Sequence, residues 1–179
     1  GSHGHISASA NNAYVIRNRG LMFISNLSEA KALAYAAERI FPADKNGPGA
    51  LELGVVYFID NQCAGGWGNH AREYMQGSFK EGVPGQGYQS PVYRKDVIKQ
   101  GARALNLEAQ KRHNNDFASL TGSQQDEILK DMESGKVIFE SGVSSKYFFN
   151  LLKTLTIAGV FSDPIYNGNK DMAGWKMKR

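Results

Sequence analysis

Cysteine is nearly absent from this 179-residue chain: it occurs once, at Cys63. A lone cysteine forms no internal disulfide, builds no structural zinc site alone and carries no haem-attachment pair. The chain therefore holds no iron–sulfur cluster and no c-type haem of its own. Histidine is also scarce. Of four, His3 and His5 sit in or beside Gly1-Ser2-His3, which reads as a scar of tag removal. The other two, His70 and His113, stand far apart and fit no metal-ligand spacing. No apolar run approaches the roughly 20 residues needed to cross a bilayer. Nor is there a strong excess of one charge: the net charge is +4, spread along the chain. A nucleic-acid binder shows a basic cluster with interleaved aromatics, and none is present. Lys176, Lys178 and Arg179 form the densest basic group and read as a solvated tail.

The familiar catalytic motifs are missing too. There is no nucleophile elbow, no dinucleotide fingerprint after a strand and no phosphate-binding loop. Gly65-Gly66-Trp67-Gly68 is glycine-rich but lacks the lysine and the strand–helix setting of a phosphate site. Cys63, at the end of an apolar stretch, reads as a small core residue rather than a nucleophile. The residues thus indicate no catalytic group, no cofactor site and no metal site in this chain.

What is present is a helical pattern with 41% hydrophobic residues, enough for a sizeable core. Asn26 and Glu29 resemble a capping box, and Leu33, Ala37, Ile40 and Phe41 form a stripe behind it. This predicts a helix from about Leu27 to Phe41, stopped by Pro42. Residues 43–49 (ADKNGPG) read as a plain turn cluster. Residues 50–63 are predicted as a second helix, and a short helix is expected around Asn69 to Met75. Residues 64–90 are otherwise irregular and rich in Gly and aromatics, a combination that points to a functional loop. Ser90-Pro91 predicts a helix start, running to about His113 with Val97, Ala104 and Leu105 inward. Thr121 and Gln124 form a capping box for a helix bearing Ile128, Leu129 and Met132, closed by Gly135. Phe148, Leu151, Leu152, Leu155 and Gly159 share one face of a last helix, which Ser162, Asp163 and Pro164 end. The expected architecture is all-α, with five or six helices, a long Gly/aromatic-rich loop and a C-terminal docking loop. Residues 1–20 are expected to be a flexible N-terminal segment, and residues 21–179 a single helical domain.

The segment after the last helix, DPIYNGNKDMAGW, is dense in loop-forming residues. Asn167, Gly168 and Asn169 accept left-handed backbone. Asp163 and Asp171 could form an acid–base pair, but both also suit side chain to backbone hydrogen bonds that shape a loop. Tyr166 and Trp175 fit a core plug or an interface anchor equally well.

These residues carry a resemblance. FSDPIYNGNKDMAGWK resembles the signature of the gluconate 2-dehydrogenase small subunit family (subunit 3, or gamma chain), with the pattern G-x-F-x-D-P-x-Y-G-G-N-x-x-x-x-G-W. Gly159, Phe161, Asp163, Pro164, Tyr166, Gly168, Asn169, Gly174 and Trp175 match, and Asn167 stands where the family has Gly. Upstream, Ile40-Phe41-Pro42-Ala43-Asp44, Gly47-Pro48-Gly49-Ala50, Phe58-Ile59-Asp60, Tyr74-Met75-Gln76-Gly77-Ser78-Phe79 and Gly87-Tyr88-Gln89 are similar to family segments.

The resemblance implies a non-catalytic subunit that stabilises a large FAD-containing sugar or sugar-acid dehydrogenase and helps its export. FAD and haem c would belong to partner subunits, the latter to a multihaem cytochrome c. It also implies a periplasmic location, with inner-membrane association only through the complex. Family members often supply a twin-arginine signal; the chain as given lacks one. The candidate partner contacts are Asp163, Pro164, Tyr166, Asn167, Gly168, Asn169, Asp171, Gly174 and Trp175, with Trp67, Tyr74, Phe79 and Tyr88 from the long loop. The competing reading is a stand-alone sugar-acid binding module or enzyme using the Asp/Asn/Trp loop.

Overall fold

The computed structural model describes residues 20–72 and 92–162. Among these, five α-helices dominate: α1 (Leu27–Ile40), α2 (Val55–Ala64), α3 (Arg94–His113), α4 (Gly122–Glu133) and α5 (Ser145–Val160). A short 3-10 turn, Phe117–Ser119, links α3 to α4. Two two-residue strands, β1 (Ala71–Arg72) and β2 (Val92–Tyr93), pair antiparallel, with Ala71 opposite Tyr93. The all-α expectation holds.

α1 is the centre of the bundle and packs against each of the other helices. Its alanines explain this. Ala30, Ala32, Ala34, Ala36 and Ala37 are all buried, so neighbours approach its backbone from several sides. Ala is also the best helix former, so close packing does not weaken the helix. Asn26 Oδ1 accepts the Glu29 N–H at 3.1 Å and starts the helix. α4 begins as predicted: Thr121 Oγ1 accepts the Gln124 N–H at 3.2 Å, and Gln124 Oε1 accepts the Thr121 N–H at 3.0 Å. Gly135, at φ +81°, then turns the chain, as only glycine does without strain.

α3 and α5 meet where the chain has an unexpected glycine. Gly101 lies mid-helix, where glycine costs about 1 kcal/mol relative to alanine. A Cβ there would overlap the ring of Phe148, which is fully buried on α5. Glycine is what lets the two helices close. Gly159 does the same further along, where α5 faces Val55 and Phe58 of α2. The predicted inward face of α5 is observed: Phe148, Leu152, Leu155 and Gly159 are buried, and Leu151 is half-buried.

Three predicted boundaries change. The second helix starts at Val55 rather than near Ala50, because Gly54 adopts a left-handed conformation (φ 73°) that interrupts any earlier helix. Residues 50–54 form turns instead, with Leu53 N–H donating to Gly49 O and Gly54 N–H to Leu51 O. No helix starts at Asn69: residues 66–70 turn, and Ala71–Arg72 joins the small ladder. The third long helix starts at Arg94, not near Pro91. Its first two N–H groups are satisfied by distant carbonyls, Arg94 N–H to His70 O and Lys95 N–H to Gly68 O, both at 3.1 Å. Those bonds, not a serine cap, fix where the helix begins. The expectation for residues 1–19 lies outside the described residues.

Candidate functional site

Trp67, a predicted partner contact among the described residues, stands at one corner of the bundle. There the end of α2, the turn at residues 65–70 and the start of α3 converge. Gly68 makes the turn possible, because any Cβ at that position would strike the backbone of Cys63. The turn presents Trp67, half-buried and packed against the core. Arg94, the first residue of α3, lays its guanidinium over the indole at 5.1 Å from the ring centroid. Such a pairing contributes about 0.5–2 kcal/mol, more as it is desolvated. Beside it Tyr93 is 42% exposed, with the Lys95 ammonium 5.9 Å from its ring centroid. The β1–β2 ladder sets Arg72 against Val92 at this corner.

Beneath the corner lies a carboxylate that the sequence reading did not single out. Asp60 is fully buried on α2. Its Oδ1 accepts the Phe23 and Ile24 N–H groups at 2.9 and 2.7 Å, and Oδ2 accepts the Met22 N–H. These three bonds clip the segment before α1 onto the bundle. A second carboxylate works the same way: Glu38 on α1 accepts the Ala43 N–H at 2.8 Å and the Leu51 N–H at 3.0 Å. It organises the turn at residues 43–49, which is a plain loop as read, with Asn46 N–H on Asp44 Oδ1 at 2.8 Å. The signal for Asp60 was an acid among apolar residues on an inward helix face. Its partners are backbone groups more than thirty residues away, which no local pattern reveals.

Cys63 is 1% exposed, and burial first, then the nearby Asp60 and Asp96 charges, push its thiol up to about 12. The thiolate is strongly disfavoured at neutral pH, which agrees with the core role read from the sequence. His113 is the last residue of α3; its Nδ1 lies 3.3 Å from the Gln124 amide nitrogen. His70 is exposed on the turn. Among the described residues no group of three or more His, Cys, Asp or Glu side chains could hold a metal ion.

Of the predicted contact residues, only Trp67 falls among those described. Tyr74, Phe79 and Tyr88 lie outside them, as do Asp163, Pro164, Tyr166, Asn167, Gly168, Asn169, Asp171, Gly174 and Trp175. The structure adds Arg94 and Tyr93 to Trp67.

A profile of gluconate 2-dehydrogenase subunit 3 matches residues 28–179. The chain belongs to the gluconate 2-dehydrogenase subunit 3 family. The match spans α1 through α5 and all the predicted contact residues. Searches of curated proteins and of solved structures return no match. Membership in the gluconate 2-dehydrogenase subunit 3 family makes the chain one subunit of a multi-subunit complex, consistent with an accessory role. No described helix is long and apolar enough to cross a membrane.

Proposed function

We propose that this chain is the non-catalytic small subunit of a periplasmic, FAD-dependent gluconate 2-dehydrogenase-type complex. In this reading it binds the large flavoprotein, stabilises it and helps its export. The flavoprotein oxidises the sugar acid, and a multihaem cytochrome c subunit carries the electrons onward. FAD and haem c reside in those partners, and the membrane is reached through the complex.

The family match over residues 28–179 carries this proposal. The corner of Trp67, Tyr93, Arg94 and Lys95 supports it. Aromatic and arginine side chains are the types enriched in the energetic centres of protein interfaces. The one cysteine is buried and held as a thiol, which does not suit a nucleophile.

Co-expression of the chain with the FAD-containing dehydrogenase subunit tests the proposal. The expected result is a stable complex that survives gel filtration and carries FAD in the large subunit. If the purified chain, free of flavoprotein, oxidises gluconate with a dye acceptor, the non-catalytic reading is wrong. A heat signal on titrating gluconate into the isolated chain would instead establish a sugar-binding module.

A further inference from the structure

The segment before α1 hangs on a single side chain. Leu21 to Ser25 form no helix and no strand. Among the described residues, their only hydrogen bonds are the three that the Asp60 carboxylate accepts from the Met22, Phe23 and Ile24 N–H groups. Apolar contact comes from Ile24, which enters the core, and from Leu21 and Phe23, which are partly buried against it. Met22 points away and is 68% exposed.

α1 stands without this segment. Asn26 supplies its cap: Oδ1 accepts the Glu29 N–H at 3.1 Å, and its carbonyl accepts the Ala30 N–H at 3.0 Å. Ser25 and Asn26 are exposed, so the chain can bend there without disturbing a packed side chain. On its inner side the segment closes a narrow cleft. Phe23, Ile24 and Ser25 line it together with Leu33 of α1 and Ile98 and Ala102 of α3, and those three helix residues are buried. A carboxylate held away from water is costly unless its oxygens are hydrogen-bonded. With the segment in place the three amides meet Asp60; with it lifted, water meets Asp60 instead. One set of hydrogen bonds replaces another, a small net change beside that of exposing the apolar faces of the helices.

We infer that residues 21–25 form a strap that opens by itself while the five helices stay folded, with Asp60 as the catch that holds it closed. Segments with few bonds to the rest of a fold open at free energies well below that of global unfolding. Opening hands the Asp60 oxygens from amides to water and bares the cleft side of Leu33, Ile98 and Ala102. The strap is a lid over the cleft between α1 and α3, built into the isolated chain.

Hydrogen exchange of the full chain, followed amide by amide, tests this. Met22, Phe23 and Ile24 are expected to exchange about ten times faster than the buried Leu152 of α5, or more. Guanidinium far below the unfolding midpoint should barely change their rates, because strap opening exposes little surface. Asp60→Asn should speed the three strap amides about tenfold or more, the factor that goes with losing a hydrogen bond to a charged acceptor. Gly101→Ala, which disturbs the contact of α3 with Phe148 of α5, separates the strap from the bundle. It should speed Leu152 and leave the strap amides at their former rate. Strap amides that follow Leu152 in Gly101→Ala, or in rising guanidinium, would show that the segment opens only with the whole fold and would overturn the inference. So would strap amides that exchange fast but are unmoved by Asp60→Asn, since another contact would then be the catch. If Asp60→Asn does not fold, the guanidinium series and Gly101→Ala still decide whether the strap opens alone.

Discussion

One buried acid and one buried thiol illustrate how much single residues decide here. Asp60 holds three backbone N–H groups with both oxygens. Asp60→Asn keeps the shape but replaces one acceptor oxygen with a donor facing N–H groups. The expected cost is about 1–3 kcal/mol, the penalty of leaving buried donors unpaired. It would be read as a lower urea midpoint at unchanged slope. Cys63, pushed up to about 12 by burial and then by Asp60 and Asp96, should be inert in the native state. A thiol reagent at pH 8 is expected to label it only in guanidinium; rapid labelling of the folded chain would show that the core around α2 opens.

A second acid, partly exposed, makes stability depend on pH. Arg39 Nε and Nη2 donate to the two Asp126 oxygens at 2.8 and 3.1 Å, tying α1 to α4. The hydrogen bond from Arg39, and then its charge, lower the Asp126 carboxyl from its ordinary value. A depressed carboxylate stabilises the fold above its ordinary value of about 4 and loses that contribution as pH falls through the folded value. Both side chains are partly exposed, so the effect is small, under about 1 kcal/mol. Unfolding followed from pH 7 downward should show Asp126→Asn less stable than the unaltered chain at pH 7, with the gap narrowing as the pH falls below about 4.

At the scale of elements, α3 and α5 depend on a missing side chain. Gly101→Ala improves the intrinsic propensity of α3, yet its methyl would enter the Phe148 ring. Overpacking of this kind costs about 1–3 kcal/mol. A lower melting temperature is therefore expected despite the better helix former; a higher one would mean that the helices do not meet there.

The same scale shows what could be read from the chain. The stripe of α1, the capping box of α4 and the inward face of α5 were legible because helix period and cap chemistry are local. The start of α3 was not. Ser90-Pro91 is a good local start signal, but the carbonyls of Gly68 and His70 override it from more than twenty residues away. β1 and β2, at two residues each, carry no alternating pattern to read. Gly54 and Gly101 look alike as letters. One supplies a left-handed turn and the other a close helix contact, and only packing tells them apart. Of the candidate site, Trp67 was visible as an aromatic in a glycine-rich stretch. Arg94 was not, because its place over the indole depends on the long-range bonds that start α3.

For the whole molecule, the bundle reads as a frame. Its core is continuous from α1 to α5. In sequence, the predicted contact segments follow the Trp67 corner and the end of α5. The family is a subunit of a multi-subunit gluconate 2-dehydrogenase complex, and the function proposed for this frame is to hold contacts for the flavoprotein. The central claim is that the flavoprotein depends on this chain. The most direct measurement is the amount of folded, FAD-loaded dehydrogenase in the periplasm with and without the small subunit. The account predicts that removing it abolishes or sharply reduces that amount, and that supplying the chain in trans restores it. A flavoprotein that folds, reaches the periplasm and oxidises its substrate at the same level without this chain would contradict the account.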